Sequence, residues 1–257
     1  MLIHVVNPNT SRSFTDKIDH AARAVASPGT EISATQPAMG PVSIEGYYDE
    51  AYAIPGMLAR IREAEALGAD AHVIACFDDT GLDAARQLAR APVIGIGEAA
   101  YHVASLVAGK FAVVTTLALA IPVMEHNLVR YGLATRCAKV RAAGIPVLAL
   151  EDPASGGVER ISAEIEAAKR DDHAEAIVLG CAGMADLAAD LSARHGLPVI
   201  DGVAAAVTLA ESLVRLGVRT SKLGGYAPPP PKPYLGSFAP FSVEGGAVEG
   251  GAVGGGA

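Results

Sequence analysis

Two cysteines occupy matching places in the two halves of this chain of 257 residues. Cys76 closes the apolar run 71–76, and Cys181 closes the apolar run 176–181. Short apolar runs of this kind read as parallel strands buried on both faces. At the C-terminal ends of such strands an open α/β sheet presents side chains to a ligand. Two thiols delivered to one cleft from opposite walls can take a proton from one face of a carbon and return one to the other face. One sulfur, as thiolate, is the base; the other, as thiol, is the acid. The carbon attacked must be fairly acidic, as is a hydrogen α to a carbonyl in a ring that delocalises the enolate. Backbone N–H groups after each cysteine would then serve as oxyanion donors. A free thiol titrates near about 8.5, and a helix start beside each cysteine is expected to lower that value.

A single cysteine at a strand end is more often a core residue than a catalyst, because free cysteine is among the most buried residue types. Recurrence at equivalent places in a repeat reverses that weighting. Cys137 has no counterpart in the other half and reads as structural. The turn Asn7-Pro8-Asn9-Thr10 after the first strand serves as a helix cap, a ligand loop or both. Thr115 and Thr116 stand at the matching place in the second half, which favours ligand contact. Asp78, Asp79 and Thr80 either open the next helix, where acids suit the dipole, or line the cleft. His4 and His72 fall inside strands and are expected to be packed; His102 and His126 read as helix or surface residues. Tyr47 and Tyr48 follow the loop 40–46 as a lid or a cover for the core.

The elements that must position these residues alternate strand and helix, which argues for parallel sheets with right-handed crossovers. Strands are expected at 3–6, 31–34, 71–76 and 92–96, with helices at 14–25, 48–67, 82–88 and 98–107. The pattern then restarts, with strands at 111–114, 147–150, 176–181 and 198–201 and helices at 122–131, 158–169, 185–195 and 203–216. Asn7 to Cys76 and Thr115 to Cys181 span nearly equal lengths of chain, as do Cys76 to Pro92 and Cys181 to Pro198. The fold expected is α/β: two pseudo-symmetric Rossmann-like domains, each a central parallel sheet flanked by helices, with the active site in the cleft between them. Residues 1–96 with 203–226 would form the first domain and 97–202 the second. A tail, 227–257, is expected to be disordered: proline-rich at first, where Pro228–Pro231 with Pro233 read as extended and stiff, then glycine-rich over 245–257, with too little apolar bulk to fold.

The formal net charge is −8 and no block of basic residues occurs, so neither nucleic acid nor an anionic membrane is an expected partner. No apolar stretch reaches the length of a membrane span. The N-terminus, Met1-Leu2-Ile3-His4-Val5-Val6, has no basic leader and enters a strand directly, so no signal peptide is expected. Three cysteines without a CxxC or metal-type spacing suit reduced thiols in a cytoplasm. No metal and no cofactor is expected: Gly95-Ile96-Gly97 lacks the third glycine and the acid of a dinucleotide fingerprint.

Four segments together resemble the hydantoin racemase family, within the wider aspartate/glutamate racemase superfamily. They are Val6-Asn7-Pro8-Asn9-Thr10, the run from Gly40-Pro41-Val42-Ser43-Ile44 to Glu50, Cys76-Phe77-Asp78-Asp79-Thr80-Gly81-Leu82, and Gly180-Cys181-Ala182-Gly183-Met184. The similarity runs to about Tyr234, through Thr220-Ser221-Lys222 and Gly224-Gly225-Tyr226. It implies interconversion of D- and L-5-monosubstituted hydantoins without cofactor or metal, with Cys76 and Cys181 each serving one face of C5. It also implies a homo-oligomer. Asn7, Pro8, Ser43, Ile44, Phe77, Asp78, Asp79, Thr115, Thr116, Ala182 and Gly183 are the candidate substrate contacts. The tail after Gly236 has no counterpart in the family pattern. Allantoin racemase is the near alternative; its members tend to carry a Gly-Asp-Pro-like run after the first cysteine, where Asp78-Asp79-Thr80 stands here. A two-lobed binding protein without chemistry is the alternative from another class.

Overall fold

Among the described residues eight short strands form two separate sheets, all parallel. The structure, a computed structural model, describes residues 1–243. The first sheet takes β1 (Leu2–Val6), β2 (Glu31–Thr35), β3 (Ala71–Ile74) and β4 (Val93–Gly95) in the order β2-β1-β3-β4. The second takes β5 (Phe111–Thr115), β6 (Cys137–Ala142), β7 (Ala176–Leu179) and β8 (Val199–Ile200) in the order β6-β5-β7-β8. The orders are the same once four is added to each strand number, so the repeat read from spacing is a repeat of topology. The central strands β3, β5 and β7 are buried along their whole length, as strands covered by helices on both faces must be.

The α-helices that cover the sheets are α1 (Arg12–Val25), α2 (Tyr47–Ala66), α3 (Leu82–Leu88), α4 (Ile96–Val107), α5 (Ile121–Arg130), α6 (Gly157–Asp171), α7 (Ala188–His195) and α8 (Gly202–Arg215). On the outer face of the first sheet, Val6 and Ile74 pack with Met57 and Ile61 of α2 and Leu82 and Ala85 of α3. On the outer face of the second, Val114, Ile177 and Leu179 pack with Ile161 and Ile165 of α6. The inner faces share one core, in which Val5 and Val73 join Val113 and Val178 around Tyr101, Phe111 and Val203. The two helices at its centre change sides. After β4, α4 packs on β7 and β8; after β8, α8 returns to β1, β3 and β4; the two pack on each other. Asp201 caps α8 by accepting the Val203 and Ala204 N–H groups.

Three expectations are corrected. Residues 147–150 are not a strand but part of a 3-10 turn, Val147–Glu151. The fourth strand of the second sheet is instead β6, an edge strand pairing only with β5. Its sequence carries Lys139 and Arg141 and so hides the strand signal, whereas Val147 and Leu150 are apolar because they meet the interior beside the second cysteine. The helix expected over 185–195 begins as a 3-10 turn, Ala182–Leu187, before α7 takes over. The tail expected from residue 227 keeps to the body as far as Val243. Lys232 and Val243 form an antiparallel bridge, and Arg62 of α2 donates to the Pro240 carbonyl at 3.2 Å. The remainder of the tail expectation, 244–257, lies outside the described residues. Among the described residues no helix is long and apolar enough to cross a membrane.

Candidate active site

Sheet register carries the two cysteines to equivalent points. Val6 pairs with Ile74 across β1 and β3, and Val114 pairs with Leu179 across β5 and β7. Beyond each pair the ladder makes one more bond, Ala75 N to Val6 O and Gly180 N to Val114 O, both 2.8 Å. The next residue is Cys76 in one half and Cys181 in the other. Each cysteine carbonyl then accepts the N–H three residues on, from Asp79 at 3.0 Å and from Met184 at 3.1 Å. Both sulfurs therefore leave a closed turn at the C-terminal end of a sheet.

The two turns face one cavity with an empty volume of about 580 Å³, and both cysteines line it. Asn7, Ile44, Phe77 and Asp78 come to it from the first half; Thr115, Thr116, Ala182 and Gly183 come from the second. Pro8, Ser43 and Asp79 are not among its lining residues. Several side chains missed in the sequence complete the wall: Phe14 and Ile18 from α1, Ala120 and Met124 around the start of α5, and Leu117 and Val147. Their spacing on helices reads as core, and only packing across the cleft distinguishes them. Glu45 also lines the cavity and accepts the Val147 N–H at 3.1 Å, tying the loop 40–46 to the other half.

The polar residues divide by what they are bonded to. Asn7 is buried, and its amide donates to Asn9 Oδ1, Ser11 O and Thr15 Oγ1 while its oxygen accepts the Asn9 N–H. It shapes the loop before α1 and has no amide hydrogen left for a ligand. Thr115 spends its hydroxyl on the Gly180 carbonyl at 3.0 Å, next to Cys181. Gly180 is required there: a Cβ would lie 2.8 Å from Thr115 Cβ.

Asp79 is a buried anchor rather than a substrate ligand. It holds a left-handed backbone, φ 53°, unusual for a residue with a side chain. Its carboxylate accepts the N–H groups of Gly97 at 2.9 Å and Glu98 at 2.8 Å, and the Tyr131 hydroxyl at 2.7 Å. The acid therefore caps α4 and not the helix that follows it in sequence. This also explains Gly95 and Gly97: a Cβ on Gly95 would lie 2.0 Å from Asp79 Oδ1, and one on Gly97 2.4 Å from the Phe77 carbonyl oxygen. The glycines make room for the Cys76 turn, not for a dinucleotide.

Both thiols are harder to ionise than a free cysteine, contrary to the expectation from nearby helix starts. Burial pushes Cys181 up to about 11, and the Gly183 N–H opposes it. Burial also pushes Cys76 well up, and the Asp78 carboxylate adds to the rise. Withdrawal from water outweighs the donors at each turn. Asp78 is itself pushed up to about 7 by burial and by the charges of Glu50 and Asp79. A protonated Asp78 therefore relieves the repulsion felt by both sulfurs. Cys137, on β6, has its thiol pushed up to about 12 by burial and is remote from this chemistry. Among the described residues no group of three or more His, Cys, Asp or Glu could hold a metal ion.

Comparison with known proteins follows the same outline. The family described as Asp/Glu/Hydantoin racemase matches residues 3–210. A hydantoin racemase of Rhizobium meliloti is 50% identical over 89% of this chain and 95% of its own. One from Pseudomonas sp. (strain NS671) is 45% identical over 94% of this chain and 97% of its own. Among solved structures, an allantoin racemase from Klebsiella pneumoniae superposes with a TM-score of 0.92 at 49% identity, covering 94% of this chain and 99% of that one.

Proposed function

The chain belongs to the Asp/Glu/hydantoin racemase family and is a racemase of its hydantoin group; from that premise we propose that it interconverts the D and L forms of 5-monosubstituted hydantoins by a two-thiol mechanism. One observation carries the reading: Cys76 and Cys181, delivered by equivalent strand ends, line a single cavity. One cysteine, as thiolate, takes the C5 proton, and the C5–H electron pair moves toward the neighbouring carbonyl to give an enolate. The other, as thiol, hands its proton to the opposite face of C5 and is left as thiolate. The thiol and thiolate roles have then changed places. N–H groups of the two cysteine turns are the donors for the enolate oxygen, and Asp78, able to carry a proton near neutrality, orients the ring.

Phe14, Ile18, Ala120 and Met124 give the cavity an apolar side, which suits an alkyl or thioether substituent at C5. Allantoin is the second reading. Likeness to an allantoin racemase structure as strong as that to hydantoin racemases supports it, and so do Asp78 and Glu45, which could accept from a ureido group. A time course of optical rotation with enantiopure 5-alkyl hydantoins and with allantoin separates the two. Decay of the hydantoin signals well above buffer is expected, with allantoin slower. No decay of either would end the proposal.

Two domains, 1–96 with 203–226 and 97–202, are the units we expect to close on the ring. The exchange of α4 and α8 between the sheets supports that division. A homo-oligomer in a cytoplasm completes the proposal. Leu106 and Val107, exposed at the end of α4, are apolar surface that a second copy would cover. Light scattering at micromolar concentration tests it, and a monomer would refute it.

A further inference from the structure

The two cysteine turns close alike but do not offer their sulfurs the same partners. Thr80 stands four residues after Cys76 and is completely buried. Its Oγ1 has no hydrogen-bond partner of ordinary geometry among the described residues. Buried hydroxyls are almost always paired, so an orphan calls for an explanation. The left-handed Asp79 and the bond from its N–H to the Cys76 carbonyl close the short turn that joins Cys76 to Thr80. The Cys76 thiol is the group this hydroxyl reaches, and its donor capacity opposes the effect of burial there. Thr80 is not among the cavity-lining residues, so a substrate does not compete for it. Each sulfur has the N–H two residues on, from Asp78 for Cys76 and from Gly183 for Cys181; the residue four after Cys181 is Ala185, so the Thr80 hydroxyl is a donor that the second half lacks.

We infer that Thr80 is a positioning residue: its buried hydroxyl, unpaired while Cys76 is a thiol, donates to Cys76 Sγ in the thiolate and so fixes where that sulfur points and when it ionises. The inference rests on the two-thiol reading of the site. It also accounts for an orphan hydroxyl being tolerated beside a strained residue, since the thiol is a weak acceptor and the thiolate a strong one. A hydrogen bond to a charged acceptor is among the stronger ones.

Thr80→Val keeps the shape and removes the hydroxyl; Thr80→Ser keeps the hydroxyl. The test follows the pH dependence of Cys76 alkylation by iodoacetamide, read on its own peptide by mass spectrometry, together with the pH profile of kcat/KM and the melting temperature. Thr80→Val is expected to move Cys76 alkylation and the rising limb of kcat/KM about one unit toward alkaline pH, a roughly tenfold loss at neutrality. Its melting temperature should hold or rise, because an unpaired buried polar group is removed. Alkylation of Cys181 should stay as in the parent, and Thr80→Ser should restore the parental profile. A parental Cys76 alkylation profile in Thr80→Val would overturn the inference, and so would a lower melting temperature with both profiles unmoved. Cys76→Ser, assayed beside them, tests the reading underneath: racemisation at the parental rate would sink the two-thiol mechanism, whereas the alkylation shift is read without turnover.

Discussion

The turn after Cys76 and the turn after Cys181 are the same structure built from different chemistry. Both start one residue past the last ladder bond, and both close through the cysteine carbonyl onto the N–H three residues on. After that they diverge. The first turn carries Asp78, Asp79 and Thr80, all buried, with a left-handed residue at its centre. The second runs on as the 3-10 turn Ala182–Leu187, small and apolar next to the sulfur. Sheet register decides where a residue stands, and a duplicated sheet repeats that placement. The loops decide what surrounds it, and loops are free to change. The difference teaches that equivalent placement of two side chains does not bring them an equivalent environment.

The strongest way to break the comparison is to remove one sulfur at a time. Cys76→Ser and Cys181→Ser should each lower racemisation by roughly 10²–10⁴-fold, since a serine hydroxyl replaces neither a thiolate base nor a thiol acid. Optical rotation measures the loss. Each single variant should still exchange the C5 hydrogen of one enantiomer with deuterated solvent, and the two variants should act on opposite enantiomers. Normal turnover by the double variant would remove the thiols from the mechanism altogether.

Each half also has a glycine that clears space for its turn, and these glycines differ in what they face. Gly95→Ala would drive a methyl into the Asp79 carboxylate, 2.0 Å from Oδ1, displacing the group that caps α4 and holds Tyr131. A loss of about 3 kcal/mol is expected from overpacking together with the disturbed buried bonds. Gly180→Ala meets Thr115 Cβ at 2.8 Å and should cost about 1–2 kcal/mol. Urea unfolding of the two variants gives the order, and equal losses would mean that Asp79 is not the more tightly held element.

The strands themselves contain the last contrast. His4 and His72 are paired across β1 and β3, Nδ1 to Nδ1 at 3.1 Å, where the second half has Ala112 paired with Ile177. His4 Nε2 meets Thr35 Oγ1 at 2.7 Å, His72 Nε2 meets Glu65 at 2.7 Å, and Arg60 adds positive charge nearby. Burial first, and then His72 and Arg60, push His4 down to about 3. An unfolded histidine binds its proton near about 6.5, so the unfolded chain holds more protons between that value and about 3. The contribution of His4 is therefore whole above pH 6.5 and is lost as pH falls through that window, by about 2 kcal/mol once relaxation is allowed for. The double variant His4→Ala with His72→Ile copies the second half and should flatten the acid limb of a stability–pH curve. An unchanged acid limb would show that His4 does not titrate as its burial demands.

Much of this was legible in the chain. Cys76 and Cys181, the strands that carry them and the duplication needed only local apolar runs and equal spacing. The packed histidines followed from their place inside strands. Other features were not legible, for reasons that are also physical. The edge strand β6 carries charge because one side meets water, so its pattern does not look like that of β3 or β7. Val147 and Leu150 look like a strand because one lines the cavity and the other packs on the core of the second sheet. Asp79 looks like a cap for α3, yet its partners are Gly97, Glu98 and Tyr131, brought in by other elements.

By itself the sequence determined the two α/β halves, the family and the pair of sulfurs, because strand length, helix period and repeat spacing are properties of neighbouring residues. Tertiary structure alone decided that both thiols are hard to ionise, that Asn7 and Asp79 spend their polar atoms on protein, and that Thr80 is buried without a partner. Solvation and hydrogen bonding depend on every group packed around a site. In this chain those groups come from strands, loops and helices far apart in sequence.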